Sequence, residues 1–160
     1  MANILLDNQH DFSARPYLKE GLKVDPNSSE LHVANGRYWE VQMQLKKALQ
    51  EYKTAIALNP NNEMAYFRLA NLLSGAGNIN KIRKKNNKTK YKQVENIYKA
   101  YENYEMVLNI NQNFPYKSQV ELWLSKLEDR INQIKEDTQN LWDSYEAYRK
   151  KMEKAPPGFY

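Results

Sequence analysis

The amino-acid sequence predicts an all-α protein, in which helix–turn–helix repeats stacked as an α-solenoid are followed by a long C-terminal helix. Two observations predict it. Small residues and prolines recur with a period of 34 residues, which is the length of one helical hairpin repeat. Beyond residue 115, apolar residues alternate at spacings of four and three, with no Pro or Gly until residue 156, which is typical of one uninterrupted helix.

The repeat is defined by pairs of similar residues 34 positions apart, beginning with Pro26 and Pro60. Five further pairs keep the spacing: Ala14 and Ala48, Leu18 and Tyr52, Gly21 and Ala55, Gly36 and Ala70, and Trp39 and Leu73. This pattern resembles the tetratricopeptide repeat (TPR). The resemblance implies an α-solenoid whose default activity is protein–protein binding.

The central unit, residues 29–62, carries the resemblance most fully. Gly36 stands at the small position of its first helix and Trp39 at the aromatic position, while Pro60 closes the unit. A small residue lets two helix backbones approach closely. The unit departs from the family at His32 and Asn35, where a large apolar residue and a leucine are usual.

The flanking units are incomplete or expanded. By register the first unit, about 1–28, contains only half of its first helix. The third unit, about 63–112, has Ala100, Tyr104 and Val107 located 52 residues after their counterparts in the central unit. We therefore expect about two and a half repeats, with an insertion of eighteen residues, about 78–95, in the turn between the helices of the third unit.

The last third of the chain, about 113–155, is expected to form a long capping helix with coiled-coil-like spacing, followed by a tail at 156–160 that begins with two prolines. Ten heptad positions carry the spacing: Val120, Leu124, Leu127, Ile131, Ile134, Thr138, Leu141, Tyr145, Tyr148 and Met152. A helix over the 39 residues 116–154 would measure about 58 Å, so only its first turns are expected to cap the repeats.

The distal heptad residues are therefore candidates for contact with a partner. They are Ile134, Leu141, Trp142, Tyr145, Tyr148 and Met152. A parallel homodimer is disfavoured, because Arg130 would face Lys135 of the second chain without a compensating ion pair. Antiparallel packing or packing against a different protein remains open.

The excess of positive over negative charge in the chain is located in the insertion. The net charge is +5, and between residues 78 and 95 seven basic residues stand against one acidic residue. The seven are Lys81, Arg83, Lys84, Lys85, Lys88, Lys90 and Lys92. Such a cluster suits phosphate backbones, although a solvated Asn/Lys-rich expansion has the same composition. RNA contact is thus an alternative hypothesis.

Composition excludes several classes of function. Without cysteine there is no thiolate metal site, thiol nucleophile or disulfide, and the two histidines show no ligand spacing. No motif for a catalytic pair or a phosphate loop stands out. We expect a non-enzymatic protein with no metal and no cofactor. The sequence shows no membrane-spanning run and no signal peptide, which favours the cytoplasm or an organelle interior.

A concave groove lined by the first helix of each unit is the binding site that the resemblance implies. Register places there Val33, Arg37, Val41, Met64, Phe67, Arg68 and Asn71. Two guanidinium groups over an apolar floor suit a peptide with an acidic group. The Lys and Asn clamp of chaperone-binding TPR proteins is not intact. The sequence thus predicts a scaffold or adaptor that is a subunit of a larger assembly, since two and a half repeats are few for an isolated solenoid.

Overall fold

The structure is a computed structural model that describes residues 11–75, 87–137, 143 and 145–150, with side chains described from residue 14 in the first range and from residue 92 in the second. Within these ranges lie six helices: α1 Asp11–Val24, α2 Ser29–Val41, α3 Leu45–Leu58, α4 Glu63–Ser74, α5 Asn87–Ile110 and α6 Lys117–Asp137. Residues 145–150 are helical as well, and no described residue lies in a β-strand.

Side-chain caps set where the first helices of the units begin. Ser28 precedes α2 and its hydroxyl accepts a hydrogen bond from the backbone N–H of Leu31 at 3.2 Å. Asn62 precedes α4 and caps it in the same way through the N–H of Ala65 at 3.0 Å. Each cap satisfies a donor that the first turn of a helix leaves unpaired. The hydroxyl of buried Ser29, the first residue of α2, accepts a hydrogen bond from the side chain of Asn62 and donates one to the carbonyl of Ala55. Ser29 thus links the start of α2 to the cap of α4.

The junctions between units repeat the same turn three times. In each, an Asp or Asn side chain accepts a hydrogen bond from the N–H two residues later, at 2.9–3.1 Å. The three acceptor residues are Asp25, Asn59 and Asn111, whose own N–H groups bond to the carbonyls of Gly21, Ala55 and Val107. The spacings of 34 and 52 residues are those that the sequence predicts.

Burial follows the same register. Ala14, Ala48 and Ala100 are fully buried, and so are the large side chains four positions later, Leu18, Tyr52 and Tyr104. α1 is thus the second helix of the first unit, α2 and α3 form the central unit, and α4 and α5 form the third. The predicted all-α, TPR-like α-solenoid is confirmed for the described ranges.

The insertion differs from the expectation that all of it lies in a turn. α5 begins at Asn87, so residues 87–95 are part of the second helix of the third unit. Val94 and Ile97 are buried, at 4% and 6% exposure, and extend the apolar face of α5 toward its N-terminus. Spacings of three and four residues among Val94, Ile97 and Tyr101 place them on one helical face.

The described parts of the C-terminal region pack against α5. Tyr145 stacks on Tyr98 of α5 with ring centroids 4.9 Å apart, and Arg149 lies 3.8 Å from Glu102. Both contacts join residues 47 positions apart, so residues 145–150 run in the same direction as α5. A six-residue connection joins α5 to α6, and buried residues of both helices belong to one core cluster.

The predicted long C-terminal helix is described over α6 and residues 145–150, and residues 138–142 and 144 lie outside the described ranges. Residues 145–150 pack on the third unit, because Tyr145 belongs to its core. A continuous helix of about 58 Å stays a prediction. None of the described helices is long and apolar enough to cross a membrane.

Candidate functional site: the concave side of α2 and α4

A cluster of three charged residues joins α2 and α4. Arg37 and Glu40 lie on α2 and Arg68 on α4, and the charges of both arginines act on Glu40. Burial raises the pKa of Glu40 above its ordinary value, and the Tyr52 hydroxyl and the arginines partly oppose this rise. The cluster therefore contains two guanidinium groups around one poorly solvated carboxyl group.

Tyr52 holds Glu40 in this cluster through a hydrogen bond. Its hydroxyl donates a 2.5 Å hydrogen bond to Glu40, and its ring is fully buried. Burial, together with the charge of Glu40, raises the pKa of Tyr52 well above its usual range. The ring reaches this position because Gly36 lacks a side chain: a Cβ there would lie 2.3 Å from the nearest ring carbon. The small position of the repeat thus positions Glu40 through Tyr52.

The third unit uses a neutral version of the same arrangement. The hydroxyl of Tyr104, the counterpart of Tyr52, donates a 2.6 Å hydrogen bond to Asn71 on α4. Burial raises the pKa of Tyr104 to about 12. Asn71 was predicted to line the groove, and its amide oxygen is occupied by this bond. Its role in the structure is to hold α4 against α5.

Two of the predicted groove residues lie in the core. Val33 is 6% exposed, in a cluster with Tyr52, and Phe67 is 4% exposed. The connection between α5 and α6 covers Phe67, because Tyr116 stacks on its ring at 5.4 Å and Phe114 packs at 5.2 Å. Neither Val33 nor Phe67 forms an open floor, because intramolecular packing already buries both.

The other predicted groove residues come together around α2 and α4. Arg37 and Arg68 lie in the charged cluster, and Met64 is partly buried between two core clusters. Val41 is 48% exposed at the C-terminal end of α2. Arg37 and Arg68 are the charged residues among those predicted to line the groove, and both are partly buried; the groove itself stays a prediction.

Glu40 is the member of the charged cluster that the repeat pattern did not single out. Its position three residues after Arg37 on the same helix was the available signal, since residues three apart share a face. Phe114 and Tyr116 were missed because contacts across almost fifty residues leave no trace in local periodicity.

The distal heptad residues are largely withdrawn from solvent where the structure describes them. Ile134 and Tyr145 are 7% and 5% exposed and belong to the core of the third unit, whereas Tyr148 is 42% exposed. Leu141, Trp142 and Met152 lie outside the residues whose side chains are described. Ile134 and Tyr145 are thus packed within the chain, and contact of the distal heptad residues with a partner stays a prediction.

Of the basic insertion, only Lys92 has a described side chain, and it is exposed. Lys88 and Lys90 belong to α5 by their backbone, while Lys81, Arg83, Lys84 and Lys85 lie outside the described residues.

Histidine and carboxylate side chains serve the repeat packing. His32 contacts Glu51 through Nδ1 at 2.7 Å and the carbonyl oxygen of Pro26 through Nε2 at 3.1 Å. This polar bridge occupies the place where the family usually has a large apolar residue. Among the side chains that the structure describes, no three His, Cys, Asp or Glu residues are grouped so as to hold a metal ion.

Comparison with protein families agrees with this geometry. The fold defines a helical-repeat protein, and the family model described as TPR repeat matches residues 43–77, which contain α3 and α4. The predicted resemblance is thereby confirmed for this stretch. TPR repeats are in general protein-interaction scaffolds and are typically non-catalytic. No curated protein matches the chain in a sequence comparison.

Proposed function

We propose that the protein is a non-enzymatic adaptor that binds an acidic segment of a partner protein in the groove of α2 and α4, as a subunit of a larger assembly. The observation that carries the proposal is the pair Arg37 and Arg68, whose charges act on the partly buried Glu40. Arginine is well suited to this role because its planar guanidinium group binds a carboxylate through two parallel hydrogen bonds.

A carboxylate of the ligand can take the place of Glu40 beside Arg37 and Arg68. The carboxyl group of Glu40 is held where charge is poorly solvated, as its raised pKa indicates. A carboxylate from the partner can therefore replace it beside the arginines while Glu40 takes up a proton and keeps its contact with Tyr52. Binding is then coupled to proton uptake, and affinity falls as pH rises.

Arg68 has further capacity for such a ligand. Its Nε atom is buried and has no hydrogen-bond partner in the structure, which leaves an unsatisfied donor on the guanidinium group. The exposed side chain of Val41 and the partly buried Met64 add apolar contacts at the rim. The groove thus favours a segment that combines a carboxylate with apolar neighbours.

The test is selection of binders from a random peptide library displayed on phage. We expect acidic peptides to be enriched on the full chain and lost on Arg37→Ala/Arg68→Ala. The matched control is Lys46→Ala/Lys53→Ala, which removes two exposed positive charges from α3. Equal enrichment on both double variants, each shown to be helical by circular dichroism, would refute the groove as the binding site.

RNA contact through the insertion remains the alternative hypothesis. The exposed Lys92 and the placement of Lys88 one turn earlier on α5 favour it, because the two residues share a helical face. It requires binding of a single-stranded RNA that weakens steeply with salt and disappears when the seven basic residues become Gln. Binding that is insensitive to salt would remove it.

A further inference from the structure

We propose a second binding site, on the opposite side of α2 from the groove, that takes an acidic protein segment through an aromatic or aliphatic anchor residue. The site is a cavity of about 310 Å³ between α1 and α2. Its lining consists of Arg15, Lys19, Leu22, Lys23, Asn35, Tyr38 and Trp39.

Helix geometry separates this cavity from the groove. Asn35 lines the cavity and Arg37 belongs to the charged cluster, and two residues along an α-helix are rotated by about 200° from each other. The two sites therefore use opposite faces of α2. Variants at one site can be tested without altering the other.

The cavity has an apolar base formed by its aromatic and leucine side chains. Tyr38 is 4% exposed and packs edge-to-face against Trp39 with ring centroids 4.9 Å apart. Leu22 is partly buried on the facing side of α1. A base of this kind takes the anchor side chain of a peptide, and the volume lies at the small end of the range for ligand sites.

The rim is basic. Arg15, Lys19 and Lys23 lie four residues apart on one face of α1, and all three are exposed. Lys23 makes an exposed 3.1 Å pair with Glu20, which offsets part of its charge. No acidic residue lines the cavity. The rim is thus complementary to carboxylates that flank the anchor.

Protein is favoured over nucleic acid at this site. The ammonium group of Lys47 lies 4.2 Å from the centroid of the Trp39 ring, so it covers a face on which a base would have to stack. Stacking on an exposed aromatic face is the usual source of affinity for single strands. The apolar base formed by Leu22, Tyr38 and Trp39 is better matched to one amino-acid side chain.

The experiment uses the full chain labelled with ¹⁵N and follows the indole N–H signal of Trp39, assigned with Trp39→Phe. The probe is the blocked pentapeptide Asp-Glu-Phe-Asp-Glu, compared with Asn-Gln-Phe-Asn-Gln and Asp-Glu-Gly-Asp-Glu. We expect the acidic aromatic peptide to shift the signal and to bind at least about tenfold more tightly than either comparison peptide.

The double variant Arg15→Glu/Lys19→Glu should weaken binding by about tenfold or more. Lys117→Glu/Lys126→Glu on α6 makes the same change in net charge and should leave binding unchanged. No shift with the acidic aromatic peptide at millimolar concentration overturns the proposal, as does an equal effect of the two double variants. A shift caused by oligouridylate RNA but not by the peptide would assign the site to nucleic acid instead.

Discussion

The central and third units share one scaffold and differ in what surrounds it. Tyr52 and Tyr104 occupy equivalent buried positions 52 residues apart, yet Tyr52 donates to the carboxyl group of Glu40 and Tyr104 to the amide of Asn71. The small position opposite the tyrosine is Gly36 in the central unit and Ala70 in the third.

The difference also extends to what holds each unit in place. The core of the third unit includes side chains from α6 and Tyr145. Among the residues whose side chains are described, the cluster around Tyr52 is built from α2, α3 and α4. Equivalent tyrosines therefore serve two purposes. In the central unit the tyrosine holds a charged group in the groove, and in the third unit it belongs to a core that the C-terminal region completes.

The largest expected effect on stability comes from removing a contact between the third unit and the C-terminal region. Tyr145→Ala removes a buried ring that stacks on Tyr98, and we expect it to lower the free energy of unfolding by about 3 kcal/mol. Urea unfolding followed by circular dichroism measures the loss. Tyr148→Ala, at a half-exposed residue one turn later, is the control and should cost less than about 0.5 kcal/mol. A loss confined to Tyr148→Ala would contradict the packing of this segment on α5.

The second test disrupts the close packing of α2 against α3 in the central unit. Gly36→Ala places a Cβ 2.3 Å from the buried ring of Tyr52, and we expect a loss of about 2–3 kcal/mol from overpacking. Gly21→Ala is the matched control, because its Cβ meets only the flexible Leu31 side chain at 3.2 Å. Thermal unfolding of both variants compares them. Equal melting temperatures would mean that the two helices do not approach as closely as the structure shows.

The third test compares how much stability a tyrosine hydroxyl contributes when its hydrogen-bond acceptor is a carboxyl group and when it is a neutral amide. Tyr52→Phe deprives Glu40 of its donor, and we expect a loss of about 2 kcal/mol, against about 1 kcal/mol for Tyr104→Phe beside Asn71. Denaturant titration gives both values. A greater loss for Tyr104→Phe would show that Glu40 does not depend on Tyr52.

A smaller effect concerns the turn between the helices of the central unit. Met43 is 77% exposed and has a backbone φ of 55°, in the left-handed region that favours glycine. We expect Met43→Gly to stabilise the protein by about 1 kcal/mol, since the strain is relieved without loss of packing. Met43→Ala keeps the strain and should gain nothing. If both raise the melting temperature equally, relief of backbone strain is not the cause.

The last prediction concerns pH dependence. The raised pKa of Glu40 means that the folded state holds its proton more tightly than the unfolded state, whose ordinary value is 4.5. This contribution to stability is present below 4.5 and is lost as pH rises through the higher value of the folded state. Glu40→Gln lacks it, so the variant should gain stability relative to the wild type as pH increases. Unfolding curves over this range test the sign, and a wild type that gains relative to Glu40→Gln would contradict it.

Much of the repeat scaffold could be predicted from the sequence, because small and large residues recur at fixed spacing. Ala14, Ala48 and Ala100 were aligned by register alone, and all three are fully buried. The junctions at Asp25, Asn59 and Asn111 follow because each turn is made by short-range hydrogen bonds. Local chemistry of this kind is visible in one sequence.

The site and the C-terminal packing could be predicted only in part. A spacing of four and three residues identifies the apolar face of a helix, but it does not show whether that face packs on the same chain or on a partner. The position of Glu40 between Arg37 and Arg68 depends on how α2 and α4 pack, which the spacing within either helix does not determine.

The turn that ends each unit keeps the same hydrogen bonds whether the unit is short or long. The turn at Asn111 has the hydrogen bonds of those at Asp25 and Asn59, although eighteen additional residues precede it within its unit and Gln112 stands in place of the proline. A unit can therefore be lengthened, in part within its second helix, while the hydrogen bonds of its exit turn are kept. For protein engineering, this marks the exit turn as a point at which units of different length could be joined.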